Sequence, residues 1–122
     1  MPGRGDAFVK TGPASALDMF EAEVEGLREL ALASAIRVPA VIDCGIEDGN
    51  AFIALERLHF EPATHATETL FGEQLATLHR HTTKRHGWHR DNTIGPTPQH
   101  NPWTRDWLEF FRKHRLQYQL DL

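Results

Sequence analysis

The pattern of apolar and polar positions predicts a strand and a long helix at the start of the chain. Residues 6–10 predict a short strand that ends at the Thr11-Gly12-Pro13 breaker. From about residue 15 to residue 34, apolar side chains recur at helical spacing, which is typical of a helix with one buried face. That apolar stripe consists of Phe20, Val24, Leu27 and Ala31.

Two further strands are predicted after this helix. Val38-Pro39 opens an extended run over residues 40–45, Asp48-Gly49-Asn50 is a typical turn between two strands, and residues 51–58 form the returning strand. Because the helix lies between strands that can share an antiparallel sheet, the order predicts an α+β fold rather than a doubly wound parallel sheet.

After Pro62 the sequence pattern no longer predicts strands and instead predicts helices and a long loop. A helix is predicted over residues 68–82, a long loop over residues 84–102, and a further helix from residue 103 to about residue 120. The first of these helices has Phe71, Leu75, Leu78 and Thr82 on one face. Because the amphipathic pattern at the end of the chain has no stop signal, we expect the sequence to continue in a longer protein.

Composition and charge narrow the functional classes. The 122 residues have a net charge of −4, which gives no electrostatic reason to expect nucleic acid or an acidic membrane surface as a partner. No stretch of about 18 apolar residues predicts a membrane span. The single cysteine, Cys44, is predicted to be a small buried hydrophobic residue rather than a reactive thiol, and it suits a reducing compartment. We therefore expect a soluble cytoplasmic protein.

Lys10 and Glu23 are the first candidates for chemistry. Side chains alternate along a strand, so Phe8 and Lys10 lie on the same side of the first strand. Glu23 flanks the buried stripe of the helix, where a carboxylate needs a partner, and Lys10 is the natural one. A lysine held by a helix glutamate beside a sheet is how kinases grip nucleotide phosphates. The alternative is that both side chains are simply solvated.

Two other segments each allow two interpretations. The strand that ends at Glu56, Arg57 and Leu58 turns abruptly polar, which suits either a connector that binds an adenine edge or an edge strand leaving its sheet. The loop around Asp91, Asn92 and Gln99 is either a solvent loop or a rigid wall of a small-molecule pocket with these three as polar contacts.

The histidines are weak candidates for a metal site. Four of the eight fall within eleven residues, at positions 79, 81, 86 and 89. However, His79 and His81 lie two apart on a predicted helix and therefore point to roughly opposite sides. No cysteine accompanies them, so we predict surface histidines and assign no metal ligand.

Longer stretches of the sequence resemble the fructosamine kinases, also called ketosamine kinases, and their bacterial branch in particular. The resemblance begins with Phe8-Val9-Lys10 and with Met19-Phe20-Glu21-Ala22-Glu23. It is most specific in Asp91-Asn92-Thr93-Ile94-Gly95, Thr97-Pro98-Gln99 and Asn101-Pro102-Trp103, and it runs in family order from about Phe8 to the last residue.

The resemblance implies a protein-kinase-like fold and the transfer of the ATP γ-phosphate, with Mg²⁺, to the sugar 3-hydroxyl of small-molecule or protein-bound ketosamines. Residues 1–58 would be the nucleotide-binding lobe and residues 59–122 the start of the helical lobe. Phe8 would belong to the nucleotide site, where Lys10 would contact the α- and β-phosphates with Glu23 holding it. The Glu56 carbonyl and the Leu58 N–H would meet the adenine. The resemblance implies nothing about oligomeric state.

Three parts of the family pattern are missing from the 122 residues. The catalytic loop of the His-Gly-Asp-Leu type and the later magnesium-binding Asp do not occur, and only Pro2-Gly3-Arg4-Gly5 stands where a phosphate-covering loop is expected. No residue of this chain is therefore assigned as catalytic, and we expect the chain alone to be inactive. The alternative function is a truncated, non-catalytic module that binds a nucleotide or a partner.

Overall fold

The computed structural model describes residues 6–122, and Pro2-Gly3-Arg4-Gly5 lie outside the described residues. The described chain divides into two compact units, residues 6–81 and residues 82–122. The sequence-based lobe boundary after residue 58 falls inside the first unit, just after the last strand of its sheet ends at Glu56.

The first unit is built on a three-stranded antiparallel sheet. Strand β1 spans Ala7–Pro13, helix α1 spans Leu17–Leu32, and strands β2 and β3 span Val41–Glu47 and Asn50–Glu56. A short 3₁₀ turn, Ala14–Ala16, joins β1 to α1. The strand order is β1-β3-β2, and both outer strands run antiparallel to β3. The predicted α+β arrangement of strand, helix, strand, turn and strand is confirmed.

The turn between β2 and β3 follows from two residues in the left-handed region. Asp48 has φ of 50° and Gly49 has φ of 78°. Two consecutive positive φ angles match the twist of a tight hairpin, and glycine and aspartate tolerate them better than most residues do. This turn fixes the register in which Glu47 faces Asn50 and Cys44 faces Ile53.

The core of the first unit lies between α1 and β3. Phe20 and Val24 from the predicted stripe pack against alternate residues of β3, of which Ile53 is fully buried. Burying a large aliphatic or aromatic side chain contributes about 1.5–3 kcal/mol, so these contacts hold the helix on the sheet. The prediction for Ala31 is wrong, because this last residue of the stripe is exposed.

Helix α2 spans His65–His79, which is three residues earlier at each end than predicted. Thr64 explains the start, because its Oγ1 accepts a hydrogen bond from the Thr67 N–H at 3.2 Å and Thr67 Oγ1 accepts from the Thr64 N–H at 2.8 Å. No residue of α2 is buried in the described part of the chain, and Phe71 of the predicted stripe is 55% exposed.

The second unit contains a small hairpin and a helix. Strands β4 and β5 span Asn92–Ile94 and Thr97–Gln99, inside the segment predicted to be one loop. Helix α3, Trp107–Phe111, continues as a π-helical segment, Arg112–Gln117, and ends in the short helix α4, Tyr118–Leu120. No helix within residues 6–122 is long and apolar enough to cross a membrane.

The helical part of the second unit begins four residues later than predicted. Asp106 caps α3, since its Oδ1 accepts hydrogen bonds from the Leu108 and Glu109 N–H groups at 2.8 and 3.2 Å. The residues before it are extended instead, because Thr104 exchanges two backbone hydrogen bonds with His86, at 2.7 and 2.8 Å.

Candidate functional site

Lys10 and Glu23 form an ion pair inside the first unit. The Lys10 Nζ donates to Glu23 Oε1 at 2.6 Å and to Oε2 as well, so one ammonium group bridges both carboxylate oxygens. The two side chains are 38% and 32% exposed, which makes the pair half-buried. Of the two alternatives left open by the sequence, the structure has the paired one.

The strand register explains how Lys10 reaches the helix. Across β1 and β3, Phe8 faces Leu55 and Lys10 faces Ile53, so Phe8 and Lys10 leave the sheet on the side that carries the core. The Lys10 Nζ lies 5.8 Å from the centre of the Phe20 ring, within the range of a cation–π contact. The lysine is therefore held by a carboxylate and an aromatic ring of the same helix.

An apolar pocket opens beside this pair, also within the first unit. It has a volume of about 290 Å³ and is lined by Phe8, Pro39, residues 55–58 and Phe60. Phe8 lies two residues before Lys10 on β1, a distance of about 7 Å along an extended strand. The structure thus brings together Phe8, Glu56 and Leu58 at one pocket. Lys10 lies further along the strand that carries Phe8, and its partner Glu23 lies on α1.

Glu56 fixes the edge of this pocket to the chain that precedes β2. Its carboxylate accepts hydrogen bonds from the Ala40 N–H at 3.1 Å and from Arg37 Nη2 at 2.7 Å. The Glu56 N–H in turn donates to the Ala40 carbonyl at 2.8 Å. These bonds, the one from the Ala40 N–H foremost, lower the pKa of Glu56 below its ordinary value. The segment at the mouth of the pocket is therefore anchored rather than loose.

Cys44 lies on β2, partly buried against the core of the first unit. Burial raises the pKa of its thiol, and the negative charges of Glu21 and Asp43 raise it further. A thiol with a raised pKa is a poor nucleophile, which favours the predicted packing role.

The three polar residues singled out in the second unit lie at the open end of the β4–β5 hairpin. Asn92 faces Gln99 across the two strands, and Asp91 directly precedes β4. Asp91 accepts a hydrogen bond from the Asn101 N–H at 2.9 Å, and its other oxygen lies 2.9 Å from His100 Nδ1. The bond from Asn101 and the contact with His100 lower the pKa of Asp91.

Asn101 is the buried centre of this loop, with only 4% of its surface exposed. Its Nδ2 donates to the Arg90 carbonyl at 3.1 Å and to Asn92 Oδ1 at 2.9 Å, while its Oδ1 accepts from Arg115 Nη2 at 2.6 Å. Arg115 also donates to the His100 carbonyl at 2.9 Å. Both polar atoms of the Asn101 side chain are thus used: Nδ2 closes the loop on itself, and Oδ1 ties the loop to the π-helical segment.

Sequence reasoning did not identify Asn101 and Arg115 as central to the loop. Asn101 belongs to the Asn101-Pro102-Trp103 motif that carries the family resemblance, and this was the available signal for a structural or functional role. Arg115 gave no signal, because an i→i+5 helical segment is rare and changes which side chains share a face.

Two of the four clustered histidines pack against tryptophan rings. His86 packs against Trp107 with ring centres 5.4 Å apart, and His89 lies edge-on to Trp88 at 4.7 Å. Within residues 6–122, no group of three or more His, Cys, Asp or Glu side chains is arranged to hold a metal ion.

The family described as fructosamine kinase matches residues 2–122. The chain belongs to the fructosamine kinase family.

Two relatives within this family illustrate the similarity. The chain is 44% identical over 121 residues to a "Probable ketoamine kinase" of Synechocystis sp., and 40% identical over 121 residues to a chloroplastic "Protein-ribulosamine 3-kinase" of Oryza sativa subsp. indica. These alignments cover 98% and 97% of the chain but only 41% and 35% of the relatives. The chain therefore spans about two fifths of the length of the curated relatives it matches.

Solved structures agree with the assignment to this family. The fold matches that of a "Putative fructosamine-3-kinase" from Haemophilus somnus with a TM-score of 0.87 and 34% identity, over 94% of this chain and 39% of that one. A second "putative fructosamine-3-kinase", from Thermobifida fusca, matches with a TM-score of 0.74 and 32% identity, over 89% and 38% of the two chains. The predicted kinase-like α+β fold is confirmed.

Proposed function

We propose that the first unit binds ATP and that the complete protein transfers its γ-phosphate to the 3-hydroxyl of a ketosamine. The observation that carries this proposal is the Lys10–Glu23 ion pair beside an apolar pocket. A flat, largely apolar base fits a pocket of about 290 Å³, and a fixed ammonium group is a suitable contact for phosphate oxygens.

Five residues of the first unit have a role in this proposal. Phe8 packs on the adenine, and the Glu56 carbonyl and Leu58 N–H bind its edge. Lys10 contacts the α- and β-phosphates, and Glu23 orients Lys10. Mg²⁺ would accompany ATP as a partner of its phosphates, and no residue of this chain is assigned as its ligand.

The substrate class rests on the relatives and on the loop of the second unit. The names ketoamine kinase and protein-ribulosamine 3-kinase support a ketosamine, either small or attached to a protein. Asp91, Asn92 and Gln99 would supply polar contacts to the ketosamine.

We also propose a cytoplasmic location for the protein. The single cysteine supports this proposal, because it suits a reducing compartment.

The proposal is tested with the complete protein that carries this sequence, assayed with ATP and a fructosamine. Gln99→Ala should raise the KM for the fructosamine about 3- to 10-fold, since one hydrogen bond to substrate is lost, and should leave the KM for ATP unchanged. Gln119→Ala, at an exposed position near the end of the chain, is the matched control. A lower melting temperature with an unchanged fructosamine KM would assign Gln99 to the scaffold.

The alternative of a non-catalytic binding module makes a different prediction for the same assay. The 122 residues contain no His-Gly-Asp sequence, so we expect the chain by itself to transfer no phosphate. ATP binding by the complete protein without any phosphorylation of fructosamines would favour the alternative.

A further inference from the structure

A cleft of about 450 Å³ lies within the second unit, separate from the residues assigned to the nucleotide. Two indole rings, Trp88 and Trp103, line it together with Asp91 and His100, and Asn101 lies among these lining residues. It therefore combines aromatic surface with a carboxylate, an imidazole and the guanidinium of Arg90 in one concave site.

The aromatic walls of the cleft are held in place, one by the backbone and the other by a side chain. The Trp88 N–H donates to the Asn101 carbonyl at 3.0 Å. Gly87, with φ of 127°, brings the chain so close that a Cβ there would lie 2.6 Å from the Pro102 carbonyl oxygen. On the other wall, the Arg85 guanidinium lies 4.8 Å from the centre of the Trp103 ring. A site with walls fixed in this way loses little freedom when a ligand binds.

The polar groups of the cleft are also oriented. His100 Nδ1 lies 2.9 Å from Asp91 Oδ2, so its Nε2 is the ring nitrogen left for other contacts. Asp91 has a lowered pKa and is a carboxylate at neutral pH, and each of its oxygens can accept a second hydrogen bond. The site thus offers at least two acceptor positions beside aromatic surface.

This combination fits a sugar better than an anion. The C–H groups of a sugar pack on an indole face, while its hydroxyl groups donate to carboxylate and imidazole acceptors. Arg90 also lines the cleft and could attract an anion, but a phosphate group has no proton to donate to the Asp91 carboxylate at neutral pH, whereas a sugar hydroxyl group does. A ligand with several hydroxyl groups on a short carbon chain can make both kinds of contact.

We propose that the cleft between Trp88 and Trp103 binds the sugar part of the ketosamine, with Asp91 and His100 accepting hydrogen bonds from its hydroxyl groups. This inference rests on the proposed function for its choice of sugar. It adds Trp88, Trp103 and His100 to the residues that recognise the substrate.

The test is a titration of the 122-residue chain, followed by the indole N–H signals of its three tryptophans in NMR spectra. Fructosyl-glycine should shift the signals of Trp88 and Trp103 in a saturable way and leave that of Trp107 unmoved. Trp107 packs on Phe110 and Phe111 outside the cleft and serves as the internal control. Glycerol and glycine, tested separately, should produce no saturable shift.

Substitutions of Asp91 and His100 test whether these side chains bind fructosyl-glycine. Asp91→Asn keeps an oxygen for the Asn101 N–H but removes the charge, and it should weaken fructosyl-glycine binding about tenfold. Asp121→Asn, whose carboxylate accepts from Gln117 at 2.8 Å, should bind like the original chain. If Asp91→Asn fails to fold, His100→Gln provides the same comparison.

Three results would overturn the inference: no saturable shift of Trp88 and Trp103, an equal shift with glycerol or glycine, or unchanged binding in a folded Asp91→Asn or His100→Gln variant. A parallel titration with ATP separates the two proposals. If ATP binds and fructosyl-glycine does not, only the sugar cleft fails, whereas the opposite result removes the nucleotide site and leaves the cleft.

Discussion

Lys10 on β1 and Glu23 on α1, 13 positions apart in the sequence, share one ammonium group between two carboxylate oxygens. A pair that remains about one third exposed adds only about 0–1 kcal/mol to stability, because water screens it. Packing of α1 on the sheet is supplied instead by Phe20 and Val24 against Ile53. The main effect of the ion pair is therefore to fix the position of the Lys10 ammonium group, and its contribution to stability is small.

We predict that Glu23→Gln lowers the free energy of unfolding by less than about 1 kcal/mol and weakens ATP binding severalfold. The amide still fills the space but no longer fixes Lys10 by charge. Urea denaturation and calorimetric titration with ATP measure the two quantities. Glu73→Gln, on the exposed surface of α2, should change neither. A stability loss of several kcal/mol with unchanged ATP affinity would mean that the pair is structural.

Glu56 should make the stability of the first unit depend on pH. Its pKa is lowered in the folded state, so its stabilising contribution is fully present above its ordinary pKa and is lost as the pH falls through the lowered value. The stability difference between the original chain and Glu56→Gln should therefore be largest near neutral pH and shrink on acidification. Urea denaturation at a series of pH values measures this difference.

The matched control for this series is Glu61→Gln, at an exposed position outside the contacts with Arg37 and Ala40. Its stability difference from the original chain should stay small at every pH. A Glu56→Gln difference that does not vary between neutral and acid pH would show that the hydrogen bonds from Ala40 and Arg37 do not depend on the charge.

Two glycines should respond to alanine in opposite ways. At Gly87 the positive φ and a Cβ only 2.6 Å from the Pro102 carbonyl oxygen predict a loss of stability above about 2 kcal/mol. At Gly72, inside α2, a Cβ meets nothing within 4 Å, so alanine should stabilise the helix by about 0.5–1 kcal/mol. Hydrogen exchange of the amides in each unit reports the two effects. A Gly87→Ala variant with unchanged exchange at Trp88 would contradict the close packing of this loop.

Local patterns were sufficient for most of the first unit. The period of the stripe containing Phe20 and Val24 and the turn residues Asp48 and Gly49 predicted the helix and the hairpin, because both depend on neighbours along the chain. The same reasoning placed Lys10 and Glu23 on facing elements. Only the three-dimensional structure gives the distance between the Lys10 and Glu23 side chains.

The second unit was harder to predict because its structure depends on contacts between distant residues. Apolar spacing suggested a helix from residue 103, but the pairing of His86 with Thr104 and the cap at Asp106 delay it to Trp107. The fully bonded Asn101 depends on Arg115, 14 residues away, and no periodicity carries that information. The hairpin β4–β5 is three residues long on each side, too short for an alternation pattern to be distinctive.

The most direct test of the nucleotide-binding account is the ATP affinity of the 122-residue chain and its Lys10→Ala variant, measured by calorimetry. We predict that the original chain binds ATP and that Lys10→Ala weakens binding at least about tenfold, since a charged contact to the phosphates is lost. Lys84→Ala, which removes an exposed lysine of the second unit, should bind ATP like the original chain. Equal ATP affinity in a folded Lys10→Ala variant would contradict the account.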